Sequence, residues 1–242
     1  MYYKPTIVAL NITTYRCFNR RGLSALLLAI APVTVSAGLV IGAGHLGDGW
    51  PRNGLQLVMV FLQLIYVTAV VRTAHAKAPV YWPYRIGRDE LRVVLAALII
   101  LVPYYISMWL FEILSGEYES NRLVTAMIGV MVVYAFGLRM VVLVPLIVLE
   151  RMGPLGGVLS SWGKTSGIFL ITLVSAVVCV GPLLLVTDFV ASLVGGPLSQ
   201  TPLNVYDIEY TVQSYLNIGI VSLFSYAVYV TPRIPKNVGQ KT

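Results

Sequence analysis

Six long apolar runs constrain this chain more than any other feature of it. They are Leu23–Gly44, Gly54–Ala74, Leu91–Leu114, Leu123–Leu149, Gly167–Val190 and Tyr210–Val230. About 20 consecutive apolar residues cross the hydrocarbon core of a bilayer as a helix. Lipid offers no water to the backbone, so only helices and closed barrels can span it. Barrel strands read as short segments of alternating polarity, whereas these runs are continuous. The expected fold is all-α. Six transmembrane helices form three hairpins, with short cytoplasmic interfacial helices, in a single polytopic domain over residues 1–242. Only 11% of the chain is charged, against roughly 25% in soluble domains. The first 22 residues are too polar for a signal peptide, and no small-residue cleavage site follows a short apolar region.

Charge placement sets the expected orientation. Lys and Arg accumulate in short cytoplasmic loops. With the N-terminal side inside, 14 of the 17 basic residues fall on the cytoplasmic side. Arg52 and Arg122 fall outside, and Arg139 falls within the fourth run. Both termini are then cytoplasmic, and the expected location is a bacterial inner membrane. The formal net charge of +7 reads as a topology signal, and secondarily as attraction to anionic lipid; no nucleic-acid partner is implied. Cys17 and Cys179 sit on the cytoplasmic side and in mid-membrane, so no disulfide is expected. No metal or cofactor site is expected either.

The first, third and fifth runs echo one another. Each starts at a basic edge and meets a proline, Pro32, Pro103 or Pro182, towards its outer part. Each has a cytoplasmic lead-in. Pro5 starts an expected helix through about Asn19, lying in the interface. The second lead-in, "YWPYRIGRDELR", places Tyr81, Trp82 and Tyr84 at headgroup level. There Asp89 and Glu90 beside Arg88 and Arg92 read as a solvated helix start. In the third, Pro154 opens a helix to Thr165 with Leu155, Val158, Leu159 and Trp162 on one apolar face.

Several motifs carry little. "GAGHLG" at Gly42–Gly47 has dinucleotide-loop spacing, but follows a membrane run and not a strand. Gly38 and Gly42 have the small-residue spacing used for helix packing, within the protein or against a partner. Gln56 and Gln63, and Gln213 and Asn217, share helix faces and read as inter-helix hydrogen bonding in preference to a substrate path. No acid or lysine sits at mid-depth to drive coupled transport. No catalytic set is present.

The stretch "RMVVLVPLIVLERMGPLGGVLSSWGKTSG", from Arg139 to Gly167, is the most specific in the chain. Through Arg139, Pro145, Glu150, Gly153, Ser161, Trp162, Thr165 and Gly167 it resembles the membrane domain associated with glycerophosphoryl diester phosphodiesterases. It also resembles the related YciC-like uncharacterised six-span bacterial inner-membrane proteins. The soluble phosphodiesterase domain and its acid and histidine residues have no counterpart here. The resemblance therefore implies the architecture and no enzymatic activity.

Arg139 lies ten residues, about 15 Å of helix, before Leu149. An arginine at mid-depth costs about 2.5–3.5 kcal/mol on insertion scales. Three reliefs are open. It can snorkel to the inner surface. It can bind the Val141 carbonyl, which Pro145 deprives of its helical donor. Or it can hold a lipid phosphate, with Glu150, Ser161, Trp162 and Lys164 as further contacts. The expected function is a non-enzymatic membrane protein, an accessory or scaffold factor that binds lipid or a larger membrane complex. The candidate partners are membrane lipids, anionic phospholipid among them, and a larger membrane protein complex. The alternative is a transporter of a small molecule or lipid.

Overall fold

The computed structural model describes residues 6–44, 50–76, 83–84, 86–100, 137–198 and 205–231. All regular structure among the described residues is helical, with no strand. The helices are α1 (Ile7–Gly44), α2 (Trp50–His75), α3 (residues 88–100), α4 (Leu143–Leu149), α5 (Pro154–Ser166), α6 (Phe169–Ser175), α7 (Gly181–Leu198) and α8 (Val205–Val230). A π-helical turn, Ala176–Val180, joins α6 to α7. Among the described residues three stretches are long and apolar enough to cross a membrane: Ile7–Gly42, Leu57–His75 and Phe169–Phe189. Most of the third and fourth expected runs, with Pro103, Tyr81 and Trp82, lies outside the described residues.

Side-chain register fixes how the helices run. Arg21 Nη2 donates to the Ala76 carbonyl at the end of α2, and Tyr66 of α2 donates to the Ala25 carbonyl of α1 at 3.0 Å. The two helices are therefore antiparallel. Gln63 donates to Ser214 at 3.0 Å, and His75 lies 3.3 Å from the Tyr226 hydroxyl, so α2 and α8 run the same way. Ala25 and Ala29 keep α1 thin where the fully buried Tyr66 and Tyr215 rings meet edge to face at 5.5 Å. Tyr215 finds a hydroxyl partner in Ser36 at 2.9 Å. Burying both rings this way satisfies their polar tips, as lipid requires.

The first lead-in is a correction. Residues 7–44 form one continuous helix of 38 residues, about 57 Å long, and not an interfacial helix followed by a span. No proline interrupts it before Pro32, and Gly22 alone costs a helix only about 1 kcal/mol. Leu10 and Thr14 are buried, with Leu10 packed among Val142, Leu146, Ile168, Phe224 and Val228. The Leu10 and Thr14 side of the first turns therefore packs on protein, while Ile7, Val8, Ile12 and Tyr15 stay exposed.

The second lead-in differs as well. Tyr84 packs against the cluster of Ala25, Ala29, Tyr66 and Tyr215. Its hydroxyl donates to the Leu28 carbonyl, whose ordinary donor would be the N–H missing from Pro32. The α3 start is solvated at Gly87 and Arg88 but not at Glu90. The Glu90 side chain is 2% exposed and ion-paired with Arg72. It accepts from the Thr68 hydroxyl at 3.2 Å and reaches back to the Gly87 N–H at 3.0 Å, one half of a capping box. Burial alone would raise its carboxyl pKa. The Arg72 hydrogen bond and charge, with the Thr68 hydroxyl, outweigh burial and hold it below the usual carboxylate range.

Polar residues inside the helices pair with one another. Besides Gln63 with Ser214, Thr187 donates to Asn217 at 2.6 Å and Gln213 donates to Asp188. The side chain of Gln56 lies outside the described residues. Near Pro182 the ladder changes register: the Gly181 N–H reaches five residues back to Ala176. Such π-turns absorb the step that proline forces on a helix.

Candidate functional site at Arg139

Pro145 shapes this region. Proline removes the i→i−4 bond to Val141 and clashes with that turn, and the fourth run breaks there. Residues 137–139 are helical, Met140 to Val142 form a tight turn, and α4 begins at Leu143. Across the break the bonds tighten to three-residue spacing: Met140 to Gly137 at 3.1 Å, Val141 to Leu138 at 3.4 Å and Leu143 to Met140 at 2.9 Å. The Leu143 N–H thus bypasses the Arg139 carbonyl. Two carbonyls, Arg139 and Val141, lose their helical donors.

Hydroxyls from other elements take both. Ser225 of α8 donates to the Val141 carbonyl. Ser161 of α5 donates to the Arg139 carbonyl at 2.9 Å. Thr165 Oγ1 lies 2.9 Å from the same carbonyl and 2.8 Å from the Ser161 carbonyl, so its one proton is shared. Ser161 and Thr165 are fully buried. The guanidinium relief at Val141 expected from the sequence is therefore not used: a serine 84 residues away in the chain supplies the proton.

α5 matches its expected start and length. Pro154 stands in the first turn, and the helix runs to Ser166. Its orientation follows from glycine. Gly157 sits against Ile147, where an added Cβ would lie 2.8 Å from Cγ1. Ser161 and Thr165, one and two turns on, reach back to Arg139. α5 therefore doubles back along α4, held by its small residues, instead of lying clear of it. The reversal uses Arg151, a left-handed residue at φ 56°, whose carbonyl accepts from Arg92 at 3.0 Å. The opposite face of α5 is apolar and exposed: Leu155 59%, Leu159 64% and Trp162 44%. Val158, the fourth residue of the expected apolar face, packs inward beside Val71, Leu143 and Ile147.

The Arg139 guanidinium lies between two rings, 5.3 Å from the Trp162 centroid and 5.1 Å from that of Phe169. Such contacts contribute about 2 kcal/mol each when desolvated. Neither ring contact supplies a hydrogen-bond acceptor to the guanidinium N–H groups. Nη1 is buried and has no hydrogen-bond partner among the described residues. No carboxylate there pairs with Arg139 either. A buried donor on a charged group left this way costs at least about 1–3 kcal/mol.

Glu150 and Lys164 are not gathered around that guanidinium. They pair with each other at 2.9 Å, and the Lys164 ammonium lies 5.9 Å from the Tyr229 ring. The pair ties the end of α4 to α5 and offsets both charges. Of the five expected contacts, Arg139, Ser161 and Trp162 come together, but Ser161 engages the carbonyl and not the guanidinium. Phe169 and Ser225 were missed. The spacing of Phe169 from Trp162, seven residues, was the available signal for the first. Gly38 and Gly42 have nothing described within 4 Å of where a Cβ would stand. The tight glycine contact on the long helices is Gly219 instead, 2.5 Å from the Tyr66 hydroxyl when a Cβ is added.

Among the described residues no group of three or more His, Cys, Asp and Glu side chains could hold a metal ion, and Cys17 and Cys179 are free thiols. No protein-family model, curated protein or solved structure matches this chain.

Proposed function

We propose that the chain is a non-enzymatic multi-span membrane protein that holds an anionic phospholipid against Arg139, as an accessory or scaffold factor. On this reading the six apolar runs are six spans in three hairpins, with both termini cytoplasmic in a bacterial inner membrane. The observation that carries the reading is the Arg139 guanidinium: beside two rings, on a partly exposed residue, and among the described residues paired with no carboxylate and with no acceptor on Nη1. A lipid phosphate offers two oxygens in one plane, which a guanidinium binds as a fork. The exposed Leu155, Leu159 and Trp162 suit the acyl and headgroup boundary of a bilayer.

The test is lipid analysis of protein purified in mild detergent. Arg139→Lys keeps the charge and loses the fork. Co-purifying anionic phospholipid is expected to fall against wild type, with zwitterionic lipid unchanged and the elution volume retained. Equal anionic lipid on both proteins would refute the proposal.

A further inference from the structure

We infer that the Arg139 site selects a singly charged phosphodiester headgroup over a doubly charged phosphomonoester. This rests on the reading of Arg139 as a lipid site and adds the charge of the ligand. The argument is a count of charges around the guanidinium. The cation that α5 carries, Lys164, is not gathered at the guanidinium, and it is paired with Glu150 at 2.9 Å. α6 brings the Phe169 ring, and α8 brings Tyr229 beside Lys164, neither charged at neutral pH. Ser161 and Thr165 direct their protons to carbonyls. The site therefore presents one uncompensated positive charge among the described residues, with aromatic rings on two sides of it.

A phosphodiester brings one negative charge and neutralises it. A phosphomonoester carries about −1.5 to −2 at pH 7, with a second pKa near 6. Its extra charge would sit against two rings with no cation to meet it, and an unpaired charge out of water is costly. A guanidinium matches two in-plane oxygens as a fork, which a phosphodiester supplies with its single charge.

Native mass spectrometry of the detergent-solubilised protein tests this. The probes are phosphatidylglycerol, a diester, and phosphatidic acid, a monoester, with matched acyl chains and phosphatidylcholine as control. Binding to Arg139→Gln is subtracted to isolate the site. At pH 8 wild type is expected to favour phosphatidylglycerol over phosphatidic acid by at least about tenfold, a factor smaller than a fully buried unpaired charge would impose. At pH 5 the monoester is singly charged, and the preference is expected to shrink towards unity. Should Arg139→Gln fail to fold, the pH dependence of the preference in wild type carries the test alone. Equal or tighter phosphatidic acid binding at pH 8, or a preference that ignores pH, overturns the charge argument while leaving a lipid site at Arg139. Loss of any preference for both anionic probes over phosphatidylcholine overturns the site as well.

Discussion

Replacing Ser225 by Ala removes the only described donor to the Val141 carbonyl. That carbonyl has no helical alternative, because the residue four ahead is Pro145. Side-chain hydrogen bonds in membrane proteins average about 0.6 kcal/mol and reach about 1.7. Leaving a buried acceptor unmet costs about 1–3 kcal/mol. Ser225 is 6% exposed, so Ser225→Ala should destabilise by about 1–2 kcal/mol, near the top of the membrane range. The second arm of the cycle is Pro145→Ala, which restores an N–H four residues beyond Val141. In that background Ser225→Ala should cost only a few tenths of a kcal/mol, giving a coupling of about 1 kcal/mol. The assay is reversible unfolding in mixed micelles, followed by helical circular dichroism. If Ser225→Ala costs the same with Pro145 present and in the Pro145→Ala background, the hydroxyl is not serving the carbonyl that proline orphaned, and the reasoning fails.

Further outcomes follow from other contacts. Gly219→Ala puts a methyl 2.5 Å from the Tyr66 hydroxyl, and should destabilise by about 1–3 kcal/mol through overpacking; a Tyr66→Phe background should recover part of this. Glu90 has a lowered folded pKa. Its stabilisation is present above the unfolded carboxylate value of about 4.3 and is lost as pH falls below it through the folded value. Acid unfolding monitored by dichroism should therefore begin at higher pH in Arg72→Ala than in wild type. Trp162→Asp should weaken contact of α5 with the bilayer, read as loss of α5 protection from hydrogen exchange in nanodiscs. In a protein whose only tryptophan is Trp162, brominated lipid should quench the fluorescence; quenching by an aqueous quencher alone would contradict that placement.

How much was legible depended on where the deciding partner lay. The α5 boundaries were readable because a proline start and apolar spacing are local signals, and the structure keeps both. Its buried face was not. Leu155 and Leu159 made the apolar side conspicuous, yet Gly157, Ser161 and Thr165 are what α4 accepts. A membrane reverses the soluble rule, since lipid welcomes the apolar face. The carbonyl released by Pro145 was foreseeable from proline chemistry, but its donor was not, because Ser225 is remote in sequence. Tyr84 and Pro32 repeat the lesson: the hydroxyl that serves the Leu28 carbonyl comes from 56 residues away. The long α1 was misread because an amphipathic pattern before a basic cluster resembles an interfacial helix. Nothing local revealed that Leu10 would meet residues of α4 and α8 in the core. Glu90 looked solvated for a similar reason: its partner, Arg72, belongs to the preceding helix.

The central claim is that a phosphate completes the Arg139 guanidinium. The most direct measurement is a high-resolution structure of the protein in nanodiscs containing phosphatidylglycerol. The expected result is a phosphodiester edge-on to Arg139, with oxygens about 2.7–2.9 Å from its nitrogens, between the Trp162 and Phe169 rings. A protein acceptor on Nη1, with no lipid density at that edge, would contradict it.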